Sequence, residues 1–159
     1  AEMTRQDALR VLWMRLLGLL VVVLTICIVV LYMGASARTG VLVFLIGNIG
    51  GYVGVHRSLG ELKDDEVVEL AKSWWSIVAP SFVGGVLALV LYLLFLSRIL
   101  AGDLFPSFVP DENAPEGLES ILAQHASDMS AYAKLFFWSF IGGFNQRYVV
   151  DIINSIKAK

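Results

Sequence analysis

The stretch VLWMRLLGLLVVVLTICIVVLYM, residues 11–33, is an apolar run that a single charge interrupts, at Arg15. A helix that crosses the hydrocarbon of a bilayer needs about 20 such residues. Because lipid offers the backbone no hydrogen-bond partner, the run has to close its own hydrogen bonds as a helix. It predicts a retained membrane span and not a cleaved signal peptide, whose apolar region is about 7–15 residues long.

Three further segments have the character of spans, so the sequence predicts an all-α, polytopic membrane protein with four transmembrane helices. The residues form one predicted domain, 1–159, and the spans cover about 9–32, 41–57, 75–100 and 131–156. An acidic start at Asp64 and apolar residues at helical spacing predict an amphipathic cytoplasmic helix that leads into the third span.

The connection 102–130 is a long polar stretch, predicted to lie outside the cell. Its segment Leu104–Pro110 is apolar for a loop. We expect this segment to dip into the outer interface or to cap the bundle, with contact to a partner as the alternative.

Lysine and arginine are concentrated on one side of this arrangement. They flank the first span, the connection between the second and third spans, and the end of the fourth: Arg5, Arg10, Arg15, Arg57, Lys63, Lys72, Arg147, Lys157 and Lys159. The positive-inside rule then places both termini in the cytoplasm. The predicted location is the bacterial inner (cytoplasmic) membrane.

Composition limits the classes of function. Charged residues make up 16% of the chain, fewer than the roughly 25% of a typical soluble domain. A formal net charge of −2 argues against a nucleic-acid partner, which favours a basic surface. The sequence contains no phosphate-binding glycine loop, no zinc-spaced histidine pair and no nucleophile elbow. It therefore predicts no catalytic residues, no metal site and no cofactor, and it favours a protein that is not an enzyme.

Glycines at four-residue spacing mark the second span, and such glycines let two helix backbones approach closely. The partner surface lies either in the same chain or on a neighbouring subunit, and the spacing does not decide between them. The predicted helix-packing positions are Gly40, Gly47, Gly50, Gly51, Gly54, Gly84, Gly85 and Gly143.

Polar side chains within the spans are the candidates for function, because burial in lipid makes them costly. Asn48 is expected to hydrogen-bond across helices or to line a water path. The polar half of the fourth span supplies a cluster in which Arg147 and Asp151, four residues apart, can pair on one helix face. This cluster either anchors the helix at the inner headgroups or lines and gates a pore. Its members are Asn145, Gln146, Arg147, Asp151 and Asn154.

The end of the last span, FWSFIGGFNQRYV at residues 137–149, resembles the ending of small four-span bacterial inner-membrane proteins. Their last span closes with Gly-Phe, two polar residues, Arg and an aromatic residue. Most of them have no known role, and some belong to membrane effectors of phage defence. Their polar pair is often Ser-Glu, whereas this chain has Asn145-Gln146 and so lacks the acid. The resemblance implies a four-span inner-membrane protein, and it favours a membrane effector among the possible roles.

Three functions follow as alternatives. The first is a homo-oligomeric membrane protein that forms or gates a pore, using the glycines of the second span for contacts and the polar half of the fourth for the path. The second is a structural or accessory subunit of a larger membrane complex. The third is a small membrane enzyme or lipid-binding protein. The expected partners are the lipid bilayer and either a second copy of the chain or another membrane subunit.

Overall fold

The computed structural model describes residues 3–32, 38–114 and 116–158. Within them the regular secondary structure is helical apart from one short β ladder, which confirms the all-α class. The helices are α1 (Arg5–Tyr32), α2 (Arg38–Leu59), α3 (Asp64–Lys72), α4 (Trp75–Leu96), α5 (Glu119–Leu122), α6 (Met129–Phe144) and α7 (Gln146–Lys157). The strands β1 (Phe108–Val109) and β2 (His125–Ala126) pair antiparallel.

Three of these helices, α1, α2 and α4, are long and apolar enough to cross a membrane. α2, α4 and α6 pack against one another and form the centre of the molecule, while α1 lies at the edge against α2 and α3. Between the first two predicted spans, residues 33–37 lie outside the described residues, as does Lys159 at the chain end.

Two apolar clusters hold the helices together, one at each end of the bundle. At the end that carries the β ladder, hereafter the ladder end, Leu91 and Phe95 of α4 are buried against Leu135 of α6. At the opposite end, hereafter the α3 end, Leu12 of α1 and Val67 of α3 are buried in one cluster, so α3 packs against α1.

The predicted continuity between α3 and the third span is wrong. α3 ends at Lys72, the backbone of Ser73 is extended (φ −125°, ψ 131°), and α4 begins at Trp75. The reason lies in α1, where Arg15 Nη1 donates a 2.6 Å hydrogen bond to the Ala71 carbonyl oxygen. The last carbonyls of a helix have no partner within it, and the Arg15 side chain supplies one, so the chain is free to turn.

The predicted fourth helix, 131–156, is also wrong in its continuity. α6 begins after Asp128, whose carboxylate accepts a 2.7 Å hydrogen bond from the Ala131 N–H. It ends at Phe144, and Asn145 is not helical (φ −115°, ψ 76°) before α7 begins. The two glycines before Phe144 and then Asn145 all disfavour a continuous helix. With 16 residues, α6 is about 24 Å long.

The connection between α4 and α6 is a folded cap on the ladder end. Phe108 pairs with Ala126 in the β ladder, and both are buried. The Phe105 ring lies 5.3 Å from the Trp138 ring, whose Nε1 donates to the Leu104 carbonyl oxygen at 2.9 Å. The segment 104–110 thus covers the bundle end, one of the two positions expected for it within the chain.

Replacing Arg15 tests how α3 is held. Arg15→Gln removes a charge-assisted hydrogen bond to α3 and the contact of the guanidinium with the Trp74 ring, at 4.8 Å from its centroid. Hydrogen bonds to charged groups contribute about 1.5–3 kcal/mol. We expect faster amide exchange throughout 64–72 in lipid nanodiscs, measured by mass spectrometry.

The matched control is Arg10→Gln, since Arg10 is an exposed arginine of the same helix. Equal exchange of α3 in the two variants would contradict this role of Arg15.

Candidate functional site

The glycines of α2 are covered by the backbone of α4. A Cβ atom at Gly47 would lie 2.5 Å from Ala88 Cβ and 2.6 Å from the Gly84 carbonyl oxygen. A Cβ at Gly51 would lie 2.7 Å from the Pro80 carbonyl oxygen. No side chain larger than hydrogen fits at either position without a shift, so the two helices meet backbone to backbone.

The helix α6 also takes part in this contact, through Gly143. A Cβ at Gly143 of α6 would collide with the Gly47 carbonyl oxygen and would lie 2.9 Å from the Gly51 nitrogen. A Cβ at Gly84 would lie 3.1 Å from the Cα atoms of both Gly51 and Gly143. We call these four residues, Gly47, Gly51, Gly84 and Gly143, the glycine junction. It lies within one chain, which is one of the two arrangements that the spacing left open.

The remaining predicted glycines differ in their surroundings. Gly50 and Gly54 face the α6 backbone, where a Cβ would lie 2.8 Å from the Phe144 nitrogen and 2.9 Å from its carbonyl oxygen, respectively. Gly40 stands outside the close contact, because a Cβ there would lie 3.9 Å from the Tyr92 ring, an ordinary packing distance.

Asn48 packs against Gly85 in the α2–α4 interface. Its amide Nδ2 would collide with a Cβ at Gly85. The same Nδ2 donates a 2.8 Å hydrogen bond to the Phe44 carbonyl oxygen, one turn back in α2. The predicted hydrogen bond across helices is replaced by a bond within α2, and the gap left by Gly85 accommodates the amide.

Gln146 joins α7 to α4. Its Nε2 donates a 2.8 Å hydrogen bond to the Pro80 carbonyl oxygen. Pro80 lies about 7.5 Å along α4 from Trp75, so α7 begins at that depth from the α3 end. Beside it, the buried Ser81 hydroxyl has no hydrogen-bond partner among the described residues. This corner adjoins the glycine junction, because Gly51 packs on Pro80 and Ser81.

α7 has one polar and one apolar face. Val149 is fully buried, and Ile152 and Ile153 pack on the apolar cluster of the ladder end. Arg147 and Asp151 are exposed and, among the described residues, form no ion pair with each other. The predicted pair is therefore absent. The structure separates the candidate polar residues into four places: Asn48 at α4, Asn145 in the break between α6 and α7, Gln146 at Pro80, and the charges on the outer face of α7.

Sequence reasoning missed several contacts at the α3 end. The rings of Trp13 and His56 meet edge to face at 4.3 Å between centroids, linking α1 to α2. The Arg57 guanidinium lies 5.6 Å from the centroid of the Phe144 ring. The sequence places these residues near one interface but carries no signal for which helices meet there.

No protein-family model, curated protein or solved structure matches this chain. Within the described ranges, no group of three or more His, Cys, Asp or Glu side chains is placed to hold a metal ion. The resemblance at residues 137–149 stays a prediction.

The glycine junction makes a prediction about stability. In Gly143→Ala the new methyl group meets the α2 backbone, and overpacking of this kind costs about 1–3 kcal/mol. We expect a lower free energy of unfolding, measured by titrating SDS into detergent micelles and following helix content.

Gly18→Ala is the matched control, because a Cβ at Gly18 of α1 meets nothing within 4 Å. A junction variant as stable as this control would show that the backbones are not in contact.

Proposed function

We propose that the chain is a four-span bundle of the bacterial inner membrane that self-associates and forms or gates a pore, acting as a membrane effector. Three helices long and apolar enough to cross a bilayer support insertion. α6 packs in the centre beside two of them, which supports a fourth crossing. The bilayer can thin around α6 to accommodate its short length.

The orientation rests on charge. Most lysines and arginines outside the helix interiors belong to the α3 end or to the two chain ends. We therefore place α3 and both termini in the cytoplasm, and the folded connection between α4 and α6 on the outer side.

The observation that carries the pore proposal is the polar face of α7. Arg147, Asp151 and Asn154 are exposed there, on a helix that begins at the depth of Pro80. Charged groups at membrane depth usually face a bundle interior or a water-filled cavity. Within the described part of one chain nothing covers this face, so a second copy is the partner that would turn it into a shared polar path.

Such a path runs between copies and not through one chain, because the glycine junction fills the centre of the bundle. The α2 glycines, for which a subunit contact was one of the two predicted alternatives, are occupied by α4 and α6. α1 is the better contact surface for self-association, since only 11% of its most apolar 18-residue window is buried.

An accessory subunit of a larger complex is the second candidate, favoured by apolar side chains on the ladder end. Leu104 is 75% exposed and Leu118 is 84% exposed, both in the connection placed outside the membrane. Exposed apolar side chains of this kind would be covered if another protein bound at this end of the bundle. This candidate predicts a different membrane protein that co-purifies with the chain.

Ion flux through liposomes tests the pore. The wild-type protein is expected to conduct, and Arg147→Ala or Asp151→Ala should each change cation-to-anion selectivity about fivefold, because a charge next to the path contributes roughly 1 kcal/mol. Glu112→Ala, which removes an exposed acid of the outer connection, should leave selectivity unchanged.

Absence of flux from the wild type at every voltage and pH would end the pore proposal. A chain that is monomeric in mild detergent would also contradict it.

A further inference from the structure

A small cavity opens at the α3 end between α2 and the last turn of α6. It has a volume of about 210 Å³ and is lined by Gly54, Arg57, Ser58, Glu61 and Phe144. Pockets for whole small molecules start at about 300 Å³. The cavity therefore suits a ligand that inserts a small polar headgroup and keeps the rest of its mass elsewhere.

The cavity holds two separated opposite charges. Arg57 and Glu61 both line it, yet they form no ion pair, and the ion pair that the described residues do contain is Arg5 with Asp64 at 3.2 Å. The Arg57 guanidinium lies instead beside the Phe144 ring. A ligand with a negative and a positive group can satisfy both side chains at once.

The position along the helices matches the headgroup layer of a bilayer. The cavity lies where α2 ends, and at the same end Trp74 and Trp75 are exposed at the start of α4. Tryptophan is enriched at the level of lipid headgroups. A ligand that offers a polar headgroup here, with its apolar mass in the surrounding lipid, is a phospholipid.

We propose that this cavity binds the headgroup of a zwitterionic aminophospholipid of the phosphatidylethanolamine class. Arg57 holds the phosphate, because guanidinium donors match phosphate oxygens. Glu61 accepts hydrogen bonds from the primary ammonium, which carries three donors. Phe144 and the Gly54 backbone face the glycerol region. The site requires no pore and no second copy of the chain.

The two charges also explain discrimination between lipids. Phosphatidylglycerol offers Glu61 no ammonium, because its headgroup beyond the phosphate is an uncharged glycerol, and a quaternary choline offers it no N–H donor. At the ladder end a cavity of about 220 Å³ contains Arg98, but no acid is among the described residues that line it. That cavity serves as an internal control, since it offers a cation alone.

Native mass spectrometry of the detergent-purified full chain tests the proposal, with phosphatidylethanolamine, phosphatidylcholine and phosphatidylglycerol of identical acyl chains as probes. The wild type should retain phosphatidylethanolamine about threefold better than either other lipid, the strength of an exposed ion pair. Arg57→Gln should lower retention of all three lipids. Glu61→Gln should abolish the preference and leave total lipid binding in place.

Arg98→Gln is the matched control and should leave the preference unchanged. Glu61→Lys is a second variant at the same exposed position, and it should shift the preference toward phosphatidylglycerol. Equal retention of the three lipids by the wild type would overturn the proposal. So would an unchanged preference in both Glu61 variants, provided their circular dichroism matches the wild type.

Discussion

The contact of three helix backbones at Gly47, Gly51, Gly84 and Gly143 is the constraint on which the rest of the structure depends. In lipid, helices gain little from the hydrophobic effect, so close van der Waals packing between small residues has to hold them together. Each of these glycines meets backbone atoms of another helix. The junction therefore sets the distance between α2, α4 and α6, and it leaves no room for a path between them.

Other features follow from the close packing at the glycine junction. With the centre of the bundle filled, polar side chains are displaced to its margins: the Asn48 amide bonds to its own helix, and Gln146 reaches the Pro80 carbonyl oxygen. The helix is interrupted at Asn145, two residues after Gly143, which is the residue of α6 that lies in the junction. Because of this interruption, Val149 of α7 packs against the bundle while Arg147 and Asp151 stay exposed. The polar surfaces of the molecule thus lie on its outside, where lipid headgroups or another copy can meet them.

Apolar length was enough to predict helices α1, α2 and α4, because a lipid-facing helix needs only a long run without charge. Glycine spacing predicted which α2 positions pack closely but not against which helix, since spacing carries no information about the partner. The sequence could not place the breaks at Ser73 and Asn145. The first depends on Arg15, 56 residues away from Ala71. The cavity lined by Arg57 and Glu61 could not be predicted from the sequence either, because it forms only where the end of α6 lies beside α2.

Solid-state NMR on the chain in lipid bilayers tests the central contact most directly. Glycine-labelled protein should show cross-peaks between the Cα of Gly84 and the Cα atoms of Gly51 and Gly143. Diluting labelled chains with unlabelled chains separates contacts within one chain from contacts between copies. The glycine junction predicts cross-peaks whose intensity per labelled chain does not change on dilution. Cross-peaks that are absent, or that disappear on dilution, would contradict it.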